Sequence, residues 1–276
     1  MQGTGAITLA AALTAVKVTG VPMREQKLVV FGAGTAGVGI ADQLHAAMVR
    51  GGASPAQASR QVWLIDKQGL LTTDMTDLRD FQRPYARDPG EVTGWSSGGG
   101  TITLLDAVKH AAPTILLGTS TVHGAFTREV IETVSAAVER PIVFPISNPT
   151  SRIEAMPADV IAWSGGKALV AVGIPVSPVE YQGVTYQIGQ ANNALVYPGL
   201  GLGTIVAGAV AGQVDASEPG APLVPPVSNL RASSATTAVA VARAAIDEGV
   251  ATAKPGHLGQ AVRDAMWQPA YEGEAV

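Results

Sequence analysis

Short apolar runs alternate with helix-forming stretches over the first two thirds of the chain. Five runs rich in Val, Ile and Leu have the length and branching of buried strands, at 27–31, 62–66, 113–118, 141–145 and 168–172. The stretches between them predict helices at 36–50, 103–110, 127–138 and 157–163, with one further turn at 55–60. Short strands that alternate with helices pair in parallel through right-handed crossovers. The pattern therefore predicts a doubly wound, mostly parallel α/β sheet with helices on both faces.

The two ends of the chain add helices to this predicted sheet. An Ala- and Leu-rich helix is expected at 4–18, ahead of the first strand. The later pattern changes to a loop with Asn193, an apolar helix near 198–214, a Pro-rich turn at 219–226 and an Ala-rich helix over about 230–249. We expect a single domain over 1–276, in which 183–276 forms a loop and a C-terminal helical extension.

The apolar segment 195–214 is long enough to suggest a membrane span. Three Gly and a Pro in its first half, two Asn residues just before it and the lack of flanking cations favour a buried helix instead. Charged residues make up only 14% of the chain, and none lies between Glu180 and Asp215, whereas typical soluble domains carry about 25%. We expect no membrane partner. The low charge predicts contact with another domain, or with a second subunit in a homo-oligomer.

Charge and composition exclude several classes of protein. The net charge is −4 and the Lys and Arg residues are scattered, so no basic patch suited to nucleic acid is present. The chain has no Cys, which rules out a disulfide framework and fits a reducing compartment. The first cationic side chain, Lys17, does not precede the apolar start as in a secretory signal. We therefore expect a cytoplasmic protein without a nucleic-acid partner.

Three glycines with the spacing G-x-G-x-x-G follow the first predicted strand, in the stretch LVVFGAGTAGVGI. In a strand–turn–helix unit the first glycine permits a sharp turn, the second lets the backbone approach a pyrophosphate, and the third lets helix and strand pack closely. Gly32, Gly34 and Gly37 occupy these positions, and the free amides of the first helical turn, around Thr35 and Ala36, would hold the pyrophosphate. The motif predicts a dinucleotide site in a Rossmann-type sheet. A purely structural tight turn is the alternative.

A carboxylate and a lysine come at the end of the second predicted strand. Asp66 lies where a carboxylate hydrogen-bonds the adenosine ribose hydroxyls and repels a 2′-phosphate, which favours NAD over NADP. Its spacing from the glycines exceeds the usual value of about 20 residues, an excess that the extra turn around 51–60 can absorb. The positive charge of Lys67 beside it could instead attract the 2′-phosphate of NADP. A solvated acidic residue at a strand end is the structural alternative.

Amide side chains follow the predicted strands at the edge where open α/β sheets bind ligands. Asn148, in SNPT, comes after the fourth strand and is either a turn residue bonded to its own backbone or an amide aimed at substrate. Asn192 and Asn193 pose the same choice, ahead of a neutral, apolar helix that is suited to hold a carboxylate at its N-terminal end.

The histidines give weaker signals. His123 follows the third strand at the ligand edge, where a loop residue is a commoner interpretation than a proton shuttle. His45, His110 and His257 show no metal-ligand spacing with one another or with carboxylates, so we assign no metal site.

Seven segments resemble the cofactor-binding domain of malic enzymes, in that family's order. They are QGT (2–4), VVFGAGTAGVGIA (29–41), WLIDKQGLL (63–71), GAFT (124–127), RPIVFPISNPTS (140–151), GQANNALVYPG (189–199) and MWQP (266–269). The resemblance implies NAD(P)-dependent oxidative decarboxylation of malate to pyruvate and CO₂, with hydride passing to nicotinamide and a divalent cation, Mg²⁺ or Mn²⁺, polarising the ketone.

The resemblance also implies roles for individual residues. Asn148 and Asn193 match the amides that hold substrate near the nicotinamide, and Asn192 is their neighbour in the cofactor site. Gln82 resembles the position at which NADP-using members of the family tend to carry a lysine. The expected cofactor is therefore NAD, with NADP less favoured.

The family's catalytic groups are expected outside this chain. Malic enzymes carry a preceding domain with a tyrosine and a lysine as acid and base, an arginine for the substrate carboxylate, and acidic metal ligands, all ahead of the segment that begins here at Gln2. We therefore expect no catalytic residue and no metal ligand within the chain. Two interpretations remain: the NAD half of a malic enzyme, inactive alone, or a dinucleotide-binding module that senses or stores NAD without chemistry.

Overall fold

The computed structural model describes residues 2–191, 203–249, 251 and 253–266. Its helices are α1 (Gln2–Thr19), α2 (Thr35–Arg50), α3 (Pro55–Arg60), α4 (Leu104–Ala111), α5 (Arg128–Ala137), α6 (Pro157–Trp163), α7 (Gly203–Ala211), α8 (Leu230–Asp247) and α9 (Leu258–Ala265). Its strands are β1 (Leu28–Phe31), β2 (Val62–Asp66), β3 (Gly69–Leu70), β4 (Ile115–Gly118), β5 (Ile142–Pro145), β6 (Leu169–Val172), β7 (Val179–Tyr181), β8 (Val184–Tyr186) and β9 (Gly189–Gln190).

Seven strands form one sheet in the order β3-β2-β1-β4-β5-β6-β9. Every pairing is parallel except that of β3 with β2, which is antiparallel. In the centre, Leu28 of β1 lies opposite Val62 on one side and Ile115 on the other. The strand order reverses beside β1, which confirms the predicted doubly wound, mostly parallel sheet.

Apolar side chains on both faces of the sheet form two cores. Along β1, Leu28 and Val30 point into one core and Val29 into the other. Helices α1, α2, α3 and α7 cover the first core, and α4, α5 and α6 cover the second. A strand that is buried on both faces needs apolar residues at every position, which is why the predicted strands read as continuous apolar runs.

The helix α1 packs between α2 and α7 and is buried on most of its surface. Small residues dominate it, and Ala10, Ala11 and Ala12 are fully enclosed. Alanine side chains let neighbouring helices approach closely, and no charge could be tolerated in such a position without a partner. Part of the low charge of the chain is therefore explained by helices enclosed within the fold. Among the described residues, no helix has both the length and the apolar composition needed to cross a membrane.

Side-chain caps fix where several helices begin. The Thr103 hydroxyl accepts from the backbone N of Asp106, and the Asp106 carboxylate accepts from the backbone N of Thr103 in return. Burial alone would raise the pKa of Asp106, but hydrogen bonds from Ser97 and Thr103 outweigh it and lower the pKa to about 2. Ser54 and Thr127 likewise cap α3 and α5. These caps account for the close agreement between the predicted and observed helix starts.

The structure adds elements that the pattern did not predict. The two-residue strands β3 and β9 extend the sheet at its two edges, and β7 and β8 form a separate hairpin. Strands of two or three residues are too short to show a period, and α9 was not predicted either. Within the described residues, the predicted helix near 198–214 appears as α7, which ends at Ala211. Residues 192–202 lie outside the described part of the chain, as do most residues of the MWQP segment.

Candidate functional site

The loops that follow β1, β4, β5 and β6 meet at one edge of the sheet. Because β2 and β4 flank β1 on opposite sides, the crossovers from β1 and β4 run over opposite faces and leave a crevice between them. A cavity of about 330 Å³ opens there. It is lined by Thr4, Ala36, Thr119, Thr121, Ile146, Ser147, Asn148, Gly173 and Ala191. None of these lining residues has an acidic, basic or phenolic side chain.

Gly32 and Gly37 are glycines because of the fold itself. Gly32 has a φ of +104°, and a Cβ there would lie 2.4 Å from the backbone N of Ser120. A Cβ at Gly37 would lie 2.2 Å from the carbonyl oxygen of Gly32 and 2.5 Å from Oγ1 of Thr119. Both contacts are far closer than atoms tolerate, so these two glycines permit the tight turn and the helix packing expected of the motif.

Gly34 has no such explanation. A Cβ at Gly34 would have no heavy atom within 4 Å, and its φ of −73° is open to any residue. The fold would therefore accept a side chain at this position. A glycine that the fold does not need, between two that it does need, is the feature expected where a ligand approaches the backbone.

The N-terminal turn of α2 directly follows Gly34. The first hydrogen bond of the helix runs from the backbone N of Val38 to the carbonyl oxygen of Gly34, so the amides of Thr35, Ala36 and Gly37 have no partner within the helix. No side chain caps this turn, and Thr35 and Ala36 are exposed. Unpartnered amides at the positive end of a helix dipole form an anion-binding site.

A buried glutamine joins the glycine loop to the end of β2. Nε2 of Gln82 donates to the carbonyl oxygen of Ala33 at 2.7 Å and, at 3.4 Å, to Oδ2 of Asp66. Oε1 of Gln82 accepts from the backbone N of Arg79 at 2.9 Å. Since Gln82 is only 2% exposed, its amide is held in one orientation, and it holds the Asp66 carboxylate close to the loop.

The two charged candidates at the end of β2 differ in their surroundings. Oδ1 of Asp66 accepts from the backbone N of Lys67 at 2.9 Å, and the residue is half-buried. The Lys67 side chain is exposed. The structure thus brings Asp66 to the glycine loop, through Gln82, and leaves Lys67 at the rim.

The loops after β4 and β5 are tied to each other and to the glycine loop. Oγ1 of Thr119 donates to the carbonyl oxygen of Gly32 at 2.7 Å. Glu154, fully buried, accepts from the backbone N and the hydroxyl of Ser120, both at 2.8 Å, and from the hydroxyl of Ser147 at 2.6 Å. Thr119, Ser147 and Glu154 are not predicted by the sequence. Thr119 and Ser147 read as ordinary loop residues, and nothing in the local pattern separates the buried Glu154 from solvated glutamates.

Asn148 lies at the mouth of the cavity. Its Nδ2 donates a long bond of 3.4 Å to the carbonyl oxygen of Ile146, and the side chain is exposed. A Cβ at Gly173 would lie 2.9 Å from the same Nδ2, so the glycine leaves room for the amide. Asn148 therefore has a local backbone contact and still faces the cavity. Asn192 and Asn193 lie outside the described residues; Ala191, just before them, is buried and lines the cavity.

The histidines take no part in the cavity. His123 is exposed on the loop after β4 and is not among the lining residues, which agrees with its interpretation as a loop residue. His45 contacts the carbonyl oxygen of Pro55, and His110 stacks on Trp95 with ring centroids 5.0 Å apart. Within the described ranges, no group of three or more His, Cys, Asp or Glu side chains could hold a metal ion.

Relatives of known name share this sequence along almost its whole length. A putative NAD malate oxidoreductase of Mycobacterium tuberculosis is 54% identical, and the match covers 99% of this chain and 52% of that protein. NAD-dependent malic enzyme 3 of Bacillus subtilis is 53% identical over 99% of this chain and 51% of its own length. A malolactic enzyme of Lactococcus lactis is 43% identical over 98% and 52%. The chain thus spans about half the length of these relatives.

Solved structures share the fold. The crystal structure of a malic enzyme from Entamoeba histolytica has a TM-score of 0.70 at 22% identity, covering 96% of this chain and 52% of that one. The malic enzyme of Pyrococcus horikoshii has a TM-score of 0.68 at 26% identity, covering 96% and 57%. A family model described as the NAD-binding domain of malic enzyme matches residues 1–246. The chain therefore belongs to the malic enzyme family and comprises the NAD-binding domain of that family.

Proposed function

We propose that this chain holds NAD in the cleft between the β1 and β4 loops as part of an enzyme that oxidatively decarboxylates malate to pyruvate and CO₂. The open space in front of Gly34 is the observation that carries the proposal, because the fold alone does not require glycine there. The cofactor would supply the hydride acceptor. The domain's own residues bind and orient it.

The proposed contacts follow the cleft from end to end. The amides of Gly34, Thr35, Ala36 and Gly37 would hold the pyrophosphate at the N-terminus of α2. Asp66 would accept from the adenosine ribose hydroxyls, with Lys67 at the rim. At the cavity end, Asn148 and Asn192 would contact the nicotinamide side, and Asn148 and Asn193 would bind the substrate.

Specificity for NAD over NADP is proposed from the surroundings of Asp66. Its carboxylate faces the glycine loop, and the buried Gln82 that holds it carries no positive charge. A 2′-phosphate would meet a negative charge there without a buried cation to offset it. Two relatives named as NAD-dependent or NAD enzymes are more than 50% identical to this chain, which supports the same preference.

The residues that catalyse proton removal and hold the metal ion are proposed to lie outside this chain. The described residues that line the cavity carry no titratable side chain, so they can orient a carboxylate but cannot remove a proton. The described residues do not fit a divalent cation either, so the Mg²⁺ or Mn²⁺ implied by the family is assigned to ligands elsewhere in the complete enzyme. Thr4, in the first turn of α1, lines the cavity, so the preceding catalytic domain implied by the family resemblance would meet the cavity at this point.

The proposed partners follow from the same division. They are NAD, malate and pyruvate, the N-terminal catalytic domain, and a second copy of the chain in a homo-oligomer, with neither nucleic acid nor membrane. A cytoplasmic location is proposed because the chain has no Cys. A module that binds NAD without chemistry is the second candidate. The lack of titratable side chains among the described lining residues favours it only if the chain works alone.

The first prediction concerns Gly34. Replacing it with valine should weaken NAD binding by at least about tenfold, because two methyl groups would occupy the space that the pyrophosphate needs. The fold should survive, since nothing lies within 4 Å of the added Cβ. Gly39→Val is the matched control: it places the same side chain in open space on the same helix and should leave the NAD affinity within about twofold.

Calorimetric titration with NAD, together with a thermal melt of each variant, measures this effect. A folded Gly34→Val variant that binds NAD as tightly as the parent chain would show that the pyrophosphate lies elsewhere.

The second prediction concerns cofactor choice. The parent chain should bind NAD at least about tenfold more tightly than NADP, because a hydrogen bond to a charged group contributes about 1.5–3 kcal/mol. Asp66→Asn should narrow this difference, since it removes the charge that repels the 2′-phosphate. Parallel calorimetric titrations measure the dissociation constants of NAD and NADP for the parent chain and the variant. Tighter binding of NADP by the parent chain would contradict the proposed role of Asp66.

The third prediction is that this chain alone oxidises no malate, with or without Mg²⁺ or Mn²⁺. Hydride transfer from an alcohol needs its proton removed, and a positioned general base contributes roughly 10²–10⁴-fold. Formation of NADH, followed by absorbance, should stay at background until a chain with the family's catalytic domain is added. Metal-dependent NADH formation by the purified chain would overturn this expectation, and His123 would then be the first residue to replace.

A further inference from the structure

Glu154 is a fully buried carboxylate without a cationic partner. Its exposure is 0%, and in the described part of the chain no Lys, Arg or His side chain lies within ion-pair distance of it. Four hydrogen bonds reach it instead, two from Ser120 and two from Ser147. Dipoles of backbone and hydroxyl groups thus solvate the charge, and no opposite charge neutralises it.

The fold makes room for this carboxylate at the end of β4. A Cβ at Gly118, the last residue of the strand, would lie 2.6 Å from Cδ of Glu154. Any other residue at Gly118 would displace the carboxylate, so the strand end and the acidic side chain fit each other. Such a fit, around a charge that costs free energy to bury, calls for a reason beyond packing.

The bonds of Glu154 connect the two loops that line the cavity. Ser120 lies between Thr119 and Thr121, which both line it, and Ser147 lines it directly. The hydroxyl of Ser147, 2.6 Å from Oε1 of Glu154, also accepts from the backbone N of Thr121 at 2.9 Å. A single seryl side chain therefore separates the carboxylate from the space where the nicotinamide is proposed to lie.

The charge state of nicotinamide changes during hydride transfer. The oxidised ring carries a positive charge, and the ring that has accepted a hydride is neutral. The Glu154 carboxylate lies about one side chain away from the proposed position of this ring. In a medium of low effective dielectric constant, a fixed negative charge at that distance stabilises a cationic ring and leaves a neutral ring almost unaffected. The same hydrogen bonds that hold the loops would thus also orient the charge towards the oxidised ring.

We propose that Glu154 is a positioning residue that fixes the two cavity loops and, through its buried charge, makes the cleft favour the oxidised cofactor over the reduced one. This inference rests on the proposed function, because it requires the nicotinamide to occupy the cavity. A structural role limited to hydrogen bonding would change the affinity for both forms of the cofactor together. A charge effect changes the ratio of the two affinities.

The test compares the dissociation constants of NAD and NADH by calorimetric titration of the full chain and three variants. Glu154→Gln removes the charge and keeps the shape; Glu154→Asp keeps the charge and shortens the side chain. Glu139→Gln makes the same chemical change at an exposed position. Circular dichroism and a thermal melt establish that each variant is folded.

Glu154→Gln should raise the ratio of the NAD to the NADH dissociation constant by about tenfold. Glu154→Asp should weaken the binding of both NAD and NADH and leave the ratio of their dissociation constants within about twofold of the parent value. Glu139→Gln should change neither constant.

A folded Glu154→Gln variant with the parent ratio would overturn the inference and leave NAD binding intact. If that variant does not fold, the parent ratio decides: tighter binding of NAD supports the inference, and tighter binding of NADH overturns it. A parent chain that binds neither nucleotide would overturn the proposed function itself, and the inference with it.

Discussion

The cleft depends on a contact between two stretches of backbone, those of the loops that follow β1 and β4. At Gly32 these two backbone segments approach so closely that a Cβ would lie 2.4 Å from the backbone N of Ser120. The hydroxyl of Thr119 then bonds the carbonyl oxygen of Gly32, and Gly37 lets α2 pack onto that same carbonyl. With the turn fixed in this way, α2 begins directly after Gly34, and Ala36 in its first turn lines the crevice between the two halves of the sheet.

The sequence predicts the parts of the fold that depend on local or periodic signals. The apolar runs at β1, β2, β4, β5 and β6 are buried on both faces, so each position carries the signal. The glycine motif is also local, because its three positions lie within six consecutive residues, 32–37. Strands of two or three residues, such as β3 and β9, are defined by their partners in the sheet and show no period of their own.

The contacts of the site that the sequence did not predict share a physical reason. Glu154 meets Ser120 across 34 positions of sequence, and Gln82 meets Ala33 across 49. Such contacts exist only once the strands have aligned, so single-sequence reasoning sees an acidic and an amide residue of the ordinary exposed kind. In the structure each of these two side chains is almost fully buried and ties two loops together. The family resemblance supplied Gln82 as a position but not its contacts.

The most direct measurement of the central claim is a crystal structure of this chain with NAD. The pyrophosphate oxygens should lie about 3 Å from the backbone amides at Gly34, Thr35 and Ala36, with the nicotinamide in the cavity beside Asn148. Binding of NAD at any other surface, with no nucleotide in front of Gly34, would contradict the claim that this glycine marks the cofactor site.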